Sequence, residues 1–163
     1  MIRIRPATID DADAIHAAIL GIAQAVDELH KVKSTPDDIR RFGFGPNPAF
    51  EALIAEVDGA FAGLCLFFPS FSTWHGRPGV YVQDLFVAEE FRGHGVGEKL
   101  LKGLAAVTRA RGGRYIRLSV DTGNRRARAF YERIGLRLSD AEQIYTAYRE
   151  DFDALADAGD HEG

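Results

Sequence analysis

The middle of the chain passes from an apolar strand through a glycine-rich turn into a helix, and this order constrains the fold most. The strand is predicted from the apolar run Val80–Val87, and the turn after it contains Arg92-Gly93-His94-Gly95-Val96-Gly97, here called the glycine loop. The helix is predicted from one apolar stripe: Val96, Leu100, Leu104 and Val107. Glycines let the backbone turn with its amide hydrogens outward, and the positive end of a helix adds partial charge. The segment predicts an anion-binding turn, with a plain flexible connection as the alternative.

The spacing of the glycines fits neither of two common phosphate-binding motifs. A Walker A loop requires Gly-Lys followed by Ser or Thr, and the dinucleotide fingerprint requires Gly-x-Gly-x-x-Gly. Here Gly93, Gly95 and Gly97 are evenly spaced. The loop therefore suits a diphosphate ligand of another class.

Charge and cysteine content narrow the classes of function. The 163 residues carry a formal net charge of −4, which lacks the basic surface that nucleic-acid binding needs and favours a cationic small molecule. The single cysteine, Cys65, excludes an intramolecular disulfide, and no His or Cys pair has metal-ligand spacing. The apolar run Ala60–Phe68 is too short to cross a bilayer, and Met1–Arg5 lacks the apolar region of a secretion signal. We expect a metal-free cytoplasmic enzyme without nucleic-acid or membrane partners.

The first third of the chain predicts a short strand, a helix and a long connection. Alternating residues predict a strand at Ile2–Arg5, and Thr8 is the expected cap of a helix that ends near Val26. Its expected buried face is Ile15, Ile19, Ile22 and Val26. The polar connection of residues 27–48 follows, with a short helix opening at Pro36.

The remaining segments predict a mixed sheet. Asp58-Gly59 suits a tight turn, so Ala52–Val57 and Ala60–Phe68 are expected to form an antiparallel hairpin. The other expected elements, in chain order, are a loop at Pro69–Gly79, a strand at Arg114–Val120, a helix capped by Asn124, and a final strand at Ile144–Tyr148. We expect one domain over residues 1–150 and an acidic, frayed tail over residues 151–163.

A resemblance to a known family rests on these motifs. Arg92-x-x-Gly95-x-Gly97 after an apolar strand resembles the acetyl-coenzyme A pyrophosphate motif of the GNAT N-acetyltransferases, and the predicted strand order is similar to their fold. More narrowly, the pattern is similar to the spermidine/spermine acetyltransferase branch at Gly43-Phe44-Gly45, Trp74, Tyr81-x-x-Asp84-x-Phe86-Val87 and Phe130-Tyr131. The resemblance implies an α+β fold whose mixed central sheet contains splayed parallel strands and is flanked by helices. It also implies a homodimer that uses acetyl-coenzyme A as acetyl donor.

The same resemblance implies roles for residues on the cofactor side. The backbone of Leu85, Phe86 and Val87 is expected to pair with the pantetheine arm. The expected contacts of the diphosphate and nucleotide are Arg92, Gly93, His94, Gly95, Val96, Gly97, Glu98 and Asn124. Tyr131 matches the position of the family's general acid, although an aromatic residue beside Phe130 on a helix is by itself more often a packing residue.

On the acceptor side the chain departs from the branch. The branch has a Glu two residues after the Tyr of the strand, where this chain has Gln83, and an amide cannot accept the proton of the amine. Either Asp84 accepts it through water, or the amine is delivered with less help, or the substrate is different. For Asp84 itself the alternative is a capped or ion-paired strand residue. The branch's Tyr-Glu pair after the first helix corresponds to Ala25-Val26, with Asp27 and Glu28 following. The expected substrate-binding residues are Asp27, Glu28, Gln83 and Asp84.

These expectations describe an N-acetyltransferase that acts by direct attack of a primary amine of a small cationic molecule: a polyamine, a diamine or a lysine-like amino acid. Cys65 lies in a hydrophobic strand, which disfavours a covalent enzyme intermediate. Two alternatives stay open: an acetyltransferase of proteins or peptides, and an acetyl-coenzyme A sensor with weak catalysis. The substitution at Gln83 motivates the second.

Overall fold

The computed structural model describes residues 1–162 and separates the chain into two compact units, Met1–Asp121 and a second that starts at Thr122. The strands are β1 (Ile2–Pro6), β2 (Glu51–Val57), β3 (Ala60–Ser72), β4 (Arg77–Val87) and β5 (Ile116–Leu118). The helices are α1 (Ala12–Ala25), α2 (Pro36–Gly43), α3 (Val96–Ala110), α4 (Arg125–Arg133) and α5 (Glu150–Glu162). The first unit therefore holds every described strand and three of the helices.

The five strands form one mixed sheet in the order β1-β2-β3-β4-β5. The first four are antiparallel neighbours, whereas β4 and β5 run parallel and are joined through α3. A parallel pair needs such a crossover because the chain must return to the same end of the sheet. The expected α+β class and mixed sheet are confirmed.

Helices cover both faces of the sheet. On one face Ile15 of α1 and Ile39 of α2 pack with Leu64 and Leu66 of β3 in one buried cluster. On the other face α3 crosses the sheet so closely that a methyl group at Gly103 would lie 3.4 Å from Ile4 of β1. The α3 stripe is confirmed as core, since Val96, Leu100 and Leu104 are at most 1% exposed.

The helix starts follow local capping chemistry. The Asp11 carboxylate accepts the Thr8 amide hydrogen at 2.7 Å at the turn that precedes α1, and Thr35 and Asp38 form the equivalent reciprocal pair at α2. The predicted short helix at Pro36 is therefore confirmed. Thr8 differs from the prediction, because it precedes the 3-10 turn Ile9–Asp11 and Asp11 is the residue before α1. Val26 differs from the prediction: it follows the last turn of α1 and is 53% exposed rather than buried.

The hairpin regions were predicted correctly in one place and wrongly in another. Asp58 and Gly59 form the tight turn between β2 and β3, both with positive φ. The expected loop at Pro69–Gly79 is instead mostly strand, because β3 continues to Ser72 and β4 begins at Arg77. A proline interrupts a strand only where its missing N–H would have to donate to the neighbouring strand. Pro69 and Pro78 both lie in the β3–β4 ladder, so the hairpin tolerates them.

The second unit also departs from the prediction. The Asn124 side chain accepts the Ala127 amide hydrogen at 3.1 Å and caps α4 as expected. The expected final strand at Ile144–Tyr148 is wrong, since this segment is irregular and belongs to no ladder of the described chain. The acidic tail, expected to fray, is helical as α5 up to Glu162.

Candidate active site

The parallel strands β4 and β5 separate at the end of the sheet that leads into the glycine loop. They pair only at Val80–Ile116, Tyr81–Arg117 and Val82–Leu118. Strand β4 then continues to Val87 with no strand of the described sheet on that side. The result is an open edge of backbone groups over residues 83–87, here called the β4 edge.

The direction of backbone groups decides what the β4 edge offers. The Phe86 carbonyl lies against Gly63 of β3, and the Ala88 N–H donates to Ala62 of β3 at 2.8 Å. Because N–H and C=O groups of successive strand residues point to opposite sides, Leu85 and Val87 direct theirs to the β4 edge. The backbone of Phe86 is directed to β3, so Leu85 and Val87 remain the residues able to pair with an added extended chain.

A β-bulge lies at the start of the β4 edge and determines on which face of the sheet the side chains of Gln83 and Asp84 lie. Leu66 of β3 pairs with Asp84 and Phe67 pairs with Val82, which leaves Gln83 as the additional residue. Gln83 is exposed and Asp84 is half-buried. Since residues paired across strands share a face, Asp84 lies with Leu66 on the face that α1 and α2 cover.

The glycine loop is open to solvent. Gly93 and Gly95 have φ of +79° and +82°, and a methyl group built on either would meet no atom within 4 Å. Gly95 is the residue immediately before α3, and no side chain caps the helix. The first amide hydrogens of a helix have no carbonyl partner within it, so those of Val96 and Gly97 suit an external acceptor. The loop projects outward with space in front of it, as an anion-binding turn requires.

Arg92 fixes the loop to the end of β4. Its Nε donates to the Val87 carbonyl at 3.1 Å, which occupies one backbone group of the β4 edge. In the first turn of α3, Glu98 pairs with Lys102 at 2.9 Å. His94 is exposed in the middle of the loop. The predicted diphosphate contacts from Arg92 to Glu98 thus follow one another next to the β4 edge, and Val96 differs from the others because its side chain is buried in the core.

Burial controls the protonation of two groups near the bulge. Desolvation raises the pKa of Asp84 above the ordinary value of a carboxyl group. Burial, and to a lesser degree the charge of Asp84, raises the pKa of the Cys65 thiol to about 12. Since only a thiolate is an effective nucleophile, Cys65 is a poor acyl acceptor near neutral pH.

The two acidic residues after α1 lie in a helix-terminating turn. The Glu28 N–H donates to the Ala23 carbonyl at 2.8 Å and the Asp27 N–H to the Gln24 carbonyl at 3.1 Å, the pattern of a Schellman motif. Asp27 has φ of +58° at the position where glycine is usual. Glu28 pairs with Lys31 at 2.7 Å. Both carboxylates are exposed, and that of Glu28 is already compensated by a cation.

Tyr131 and Asn124 lie in the second unit. Tyr131 is half-buried on α4, with its ring edge-to-face with that of Phe130 at a centroid distance of 5.3 Å. Asn124 uses its side-chain oxygen to cap the same helix. The roles expected for them stay predictions.

Comparison with known proteins decides the family. The profile of the "Acetyltransferase (GNAT) family" matches residues 19–136, which include the β4 edge, the glycine loop and α4. The chain belongs to the GNAT acetyltransferase family. It is accordingly an acyltransferase, of a family that uses acetyl-coenzyme A as co-substrate.

Curated relatives of this GNAT enzyme cover almost its whole length. The chain is 32% identical over 161 residues to a thialysine N-epsilon-acetyltransferase of Mus musculus, with 94% of each chain covered. It is 35% identical over 148 residues to the protein of that name from Sus scrofa, with 85% of this chain and 86% of the relative covered.

A solved structure confirms the GNAT fold. An integron cassette protein from the mobile metagenome of V. cholerae matches with a TM-score of 0.79 and 20% identity, over 95% of this chain and 97% of that chain. At this identity the likeness shows the fold alone. The expected splayed parallel strands agree with the pairing of β4 and β5 described above.

Two contacts of the site could not be read from the sequence. The Tyr81 hydroxyl and the Ser119 Oγ lie 2.6 Å apart, one residue beyond the end of β5, where β4 and β5 separate. The His16 Nε2 lies 2.7 Å from the Ser34 carbonyl, and since a carbonyl only accepts, Nε2 carries the proton. The first contact joins the strands at the base of the opening, and the second ties the long connection to α1. Tyr81 belongs to a motif identified in the sequence, but nothing in the sequence predicts that its hydroxyl group contacts Ser119.

The described residues lack a metal-binding cluster and a membrane-spanning helix. No group of three or more His, Cys, Asp or Glu side chains there could hold a metal ion. No helix in that part of the chain is long and apolar enough to cross a membrane.

The glycine loop gives a direct test through Gly95. In the Gly95→Ala variant the added methyl group would enter the open space in front of the loop, so we expect the KM for acetyl-coenzyme A to rise about tenfold or more, because charge-assisted contacts to the amides are lost. Gly59→Ala is the matched control, since Gly59 has φ of +85° and the same open surroundings in the β2–β3 turn. Both variants lose similar stability from the left-handed backbone, about 1 kcal/mol. Equal KM values in the two variants would remove Gly95 from the cofactor site.

Proposed function

We propose that this chain transfers an acetyl group from acetyl-coenzyme A to a primary amine of a small cationic molecule, by direct attack of the amine. The class of acceptor comprises polyamines, diamines and lysine-like amino acids. The observation that carries the proposal is the exposed glycine loop at the start of α3, directly beside the part of β4 that β5 does not pair, where Leu85 and Val87 lie. The curated relatives named thialysine N-epsilon-acetyltransferase support a lysine-like acceptor as the first to test.

The described geometry fits acetyl-coenzyme A. The glycine loop offers amide hydrogens and a positive helix end to the diphosphate, and a methyl group built on Gly93 or Gly95 would meet no atom within 4 Å. The β4 edge offers extended backbone groups to an amide-containing arm. The cofactor supplies the acetyl group as a thioester. We assign Leu85, Val87 and the residues from Arg92 to Glu98 to its binding, with Asn124 as a further contact from α4.

On the acceptor side we assign proton transfer to Asp84. An ammonium ion has no lone pair, so the amine must lose a proton before it attacks. A half-buried carboxylate with a raised pKa is a stronger base than an exposed one, and it can act through a water molecule. Gln83, exposed at the bulge, is assigned to binding of the acceptor. Asp27 supplies negative potential that favours a cationic substrate, and Glu28 is assigned to binding of the acceptor beside it.

We assign Tyr131 as the general acid. A departing thiolate has a conjugate acid with a pKa of about 8.5, and a phenol with an ordinary pKa of about 10 can protonate it when the two are in contact. The half-buried position of Tyr131 on α4 is compatible with this role. No group of the protein is acylated in this scheme, in agreement with the buried Cys65 thiol.

A panel of acceptors tests the proposal. Release of free thiol from acetyl-coenzyme A would be measured with thialysine, lysine, ornithine, putrescine and spermidine, and with a short peptide that has a free N-terminus. We expect kcat/KM to be highest for one of the small amines and at least about tenfold lower for the peptide, a difference of 1.4 kcal/mol in transition-state binding. A preference for the peptide would favour the protein acetyltransferase. Binding of acetyl-coenzyme A without thiol release from any amine would favour the sensor.

We also propose the organisation of the enzyme. Residues 1–150 are assigned to the acetyltransferase domain and residues 151–163 to an acidic tail, in a cytoplasmic homodimer with the segment Ile144–Tyr148 near the partner chain. Exposed apolar side chains in that segment support a partner, since Ile144, Tyr145 and Tyr148 are 75%, 91% and 74% exposed. Light scattering during size-exclusion chromatography would give the mass of the particle.

A further inference from the structure

A cavity lies at the end of the sheet opposite the glycine loop. It has a volume of about 390 Å³ and is lined by His75, Arg77, Arg114 and Tyr115. Strand β4 has 11 residues from Arg77 to Val87, and a strand rises about 3.3 Å per residue, so the two ends of β4 are roughly 30 Å apart. The cavity is therefore distinct from the proposed acetyl-coenzyme A site.

The floor of this cavity is a fixed aromatic ring. Tyr115 lies over Gly79 of β4 so closely that a methyl group there would be 2.5 Å from the ring carbons. The Tyr115 hydroxyl donates to the Ser70 Oγ at 2.8 Å, which holds the ring from its far end. Val80 donates its amide hydrogen to the Tyr115 carbonyl at 3.1 Å. The ring is held by both its backbone and its hydroxyl, so the floor is formed before any ligand binds.

The charge of the cavity is positive in a chain whose net charge is −4. The Arg114 amide hydrogen bonds to the Pro78 carbonyl at 2.9 Å, which places the backbone of Arg114 beside the residue that follows Arg77. Neither guanidinium forms an ion pair with a carboxylate of the described chain, whereas nearby Arg111 is paired with Glu51 at 2.8 Å. Two uncompensated arginines beside an aromatic floor have the chemistry that binds phosphate groups.

We propose that this cavity is a second ligand site, which binds a small soluble molecule carrying a diphosphate or polyphosphate group. The phosphate oxygens accept hydrogen bonds from Arg77 and Arg114, and the body of the molecule lies on the Tyr115 ring. The volume is in the range of small-molecule sites and exceeds what a single phosphate fills. At roughly 30 Å from the glycine loop, judged from the length of β4, this ligand and acetyl-coenzyme A bind at the same time.

Pyrophosphate is the probe for the test. The full chain would first be saturated with coenzyme A, so that the glycine loop is filled, and pyrophosphate would then be titrated by calorimetry. We expect one pyrophosphate per chain, with a Kd that rises with salt concentration. In Arg77→Ala and in Arg114→Ala the Kd should rise about tenfold or more, as expected for loss of a charge-assisted contact. Amide NMR shifts should change at Gly79 and Tyr115.

Arg3→Ala is the matched control, because Arg3 is exposed on β1 at the opposite edge of the sheet and its loss changes the net charge equally. Its Kd for pyrophosphate should equal that of the unmodified chain. Circular dichroism and the rate of acetyl transfer would verify that each variant is folded. No binding to the coenzyme A-saturated chain would overturn the proposal. So would NMR shifts confined to residues 93–98, or equal Kd values in the Arg77, Arg114 and Arg3 variants.

Discussion

Replacement of Asp84 by Asn is expected to lower kcat by about 10²–10⁴ and at the same time to raise Tm at neutral pH. The first effect is the usual loss when a general base is removed. The second follows from burial, because the side chain is half-buried and its ionised form is desolvated. An amide of the same shape removes that penalty. Lower activity together with higher stability is typical of the replacement of a residue that serves catalysis and not stability.

The pH dependence of this effect has a defined sign. The pKa of Asp84 is raised in the folded chain, so the folded state holds the proton more tightly than the unfolded state. Stability is then unaffected below the ordinary pKa of the carboxyl, falls as pH rises through the interval up to the raised pKa, and stays lower above it. The Tm advantage of Asp84→Asn should therefore be present at neutral pH and shrink in acid. The acid limb of kcat/KM should follow the same raised pKa in the unmodified enzyme.

Asp10→Asn provides the control for Asp84→Asn. Asp10 is exposed near the start of α1 and carries the same charge. Its replacement should leave kcat unchanged. It should change the free energy of unfolding by at most about 0.5 kcal/mol at each pH tested. If Asp84→Asn retained full kcat with each amine of the panel, Asp84 would be a structural residue of the bulge, and the amine would lose its proton by another route.

The second large effect is expected from Tyr131→Phe. Removal of the hydroxyl deletes the proposed proton donor but leaves the ring and its contact with Phe130, so kcat should fall about 10²–10⁴. The Kd for acetyl-coenzyme A should stay within about twofold of the original, because the cofactor contacts assigned above lie elsewhere. Stopped-flow thiol release gives kcat, and calorimetry gives the Kd.

Tyr145→Phe is the matched control for Tyr131→Phe, since Tyr145 belongs to the same unit and is 91% exposed. It should retain full kcat. Equal rates in the two variants would contradict the assignment of Tyr131. A fall in kcat matched by a fall in Tm would instead identify Tyr131 as a packing residue of α4.

The sequence was sufficient where local chemistry determines structure. Asp58-Gly59 predicted the hairpin turn, Asn124 predicted the start of α4, and the stripe through Leu100 predicted α3. In each case the deciding interactions lie within a few residues of chain, as a turn, a cap or one helical face.

Features that depend on distant partners could not be predicted. Ile144–Tyr148 has strand-forming residues, yet a strand exists only when another strand accepts its hydrogen bonds. The bulge at Gln83 depends on the register of β3 against β4, which no single strand contains. For the same reason, the sequence does not show that the backbone groups of Leu85 and Val87, and not those of Phe86, point to the β4 edge. This direction follows from the contact between Ala88 and Ala62.

The short pairing of β4 with β5 has a consequence for the enzyme without its co-substrate. An unsatisfied sheet edge is a template for strands of other molecules and promotes aggregation. Pantetheine bound along Leu85 and Val87 would occupy the same backbone groups. The coenzyme and a strand of another molecule would therefore compete for the same hydrogen bonds. The coenzyme would then reduce aggregation of the protein in addition to its role as acetyl donor.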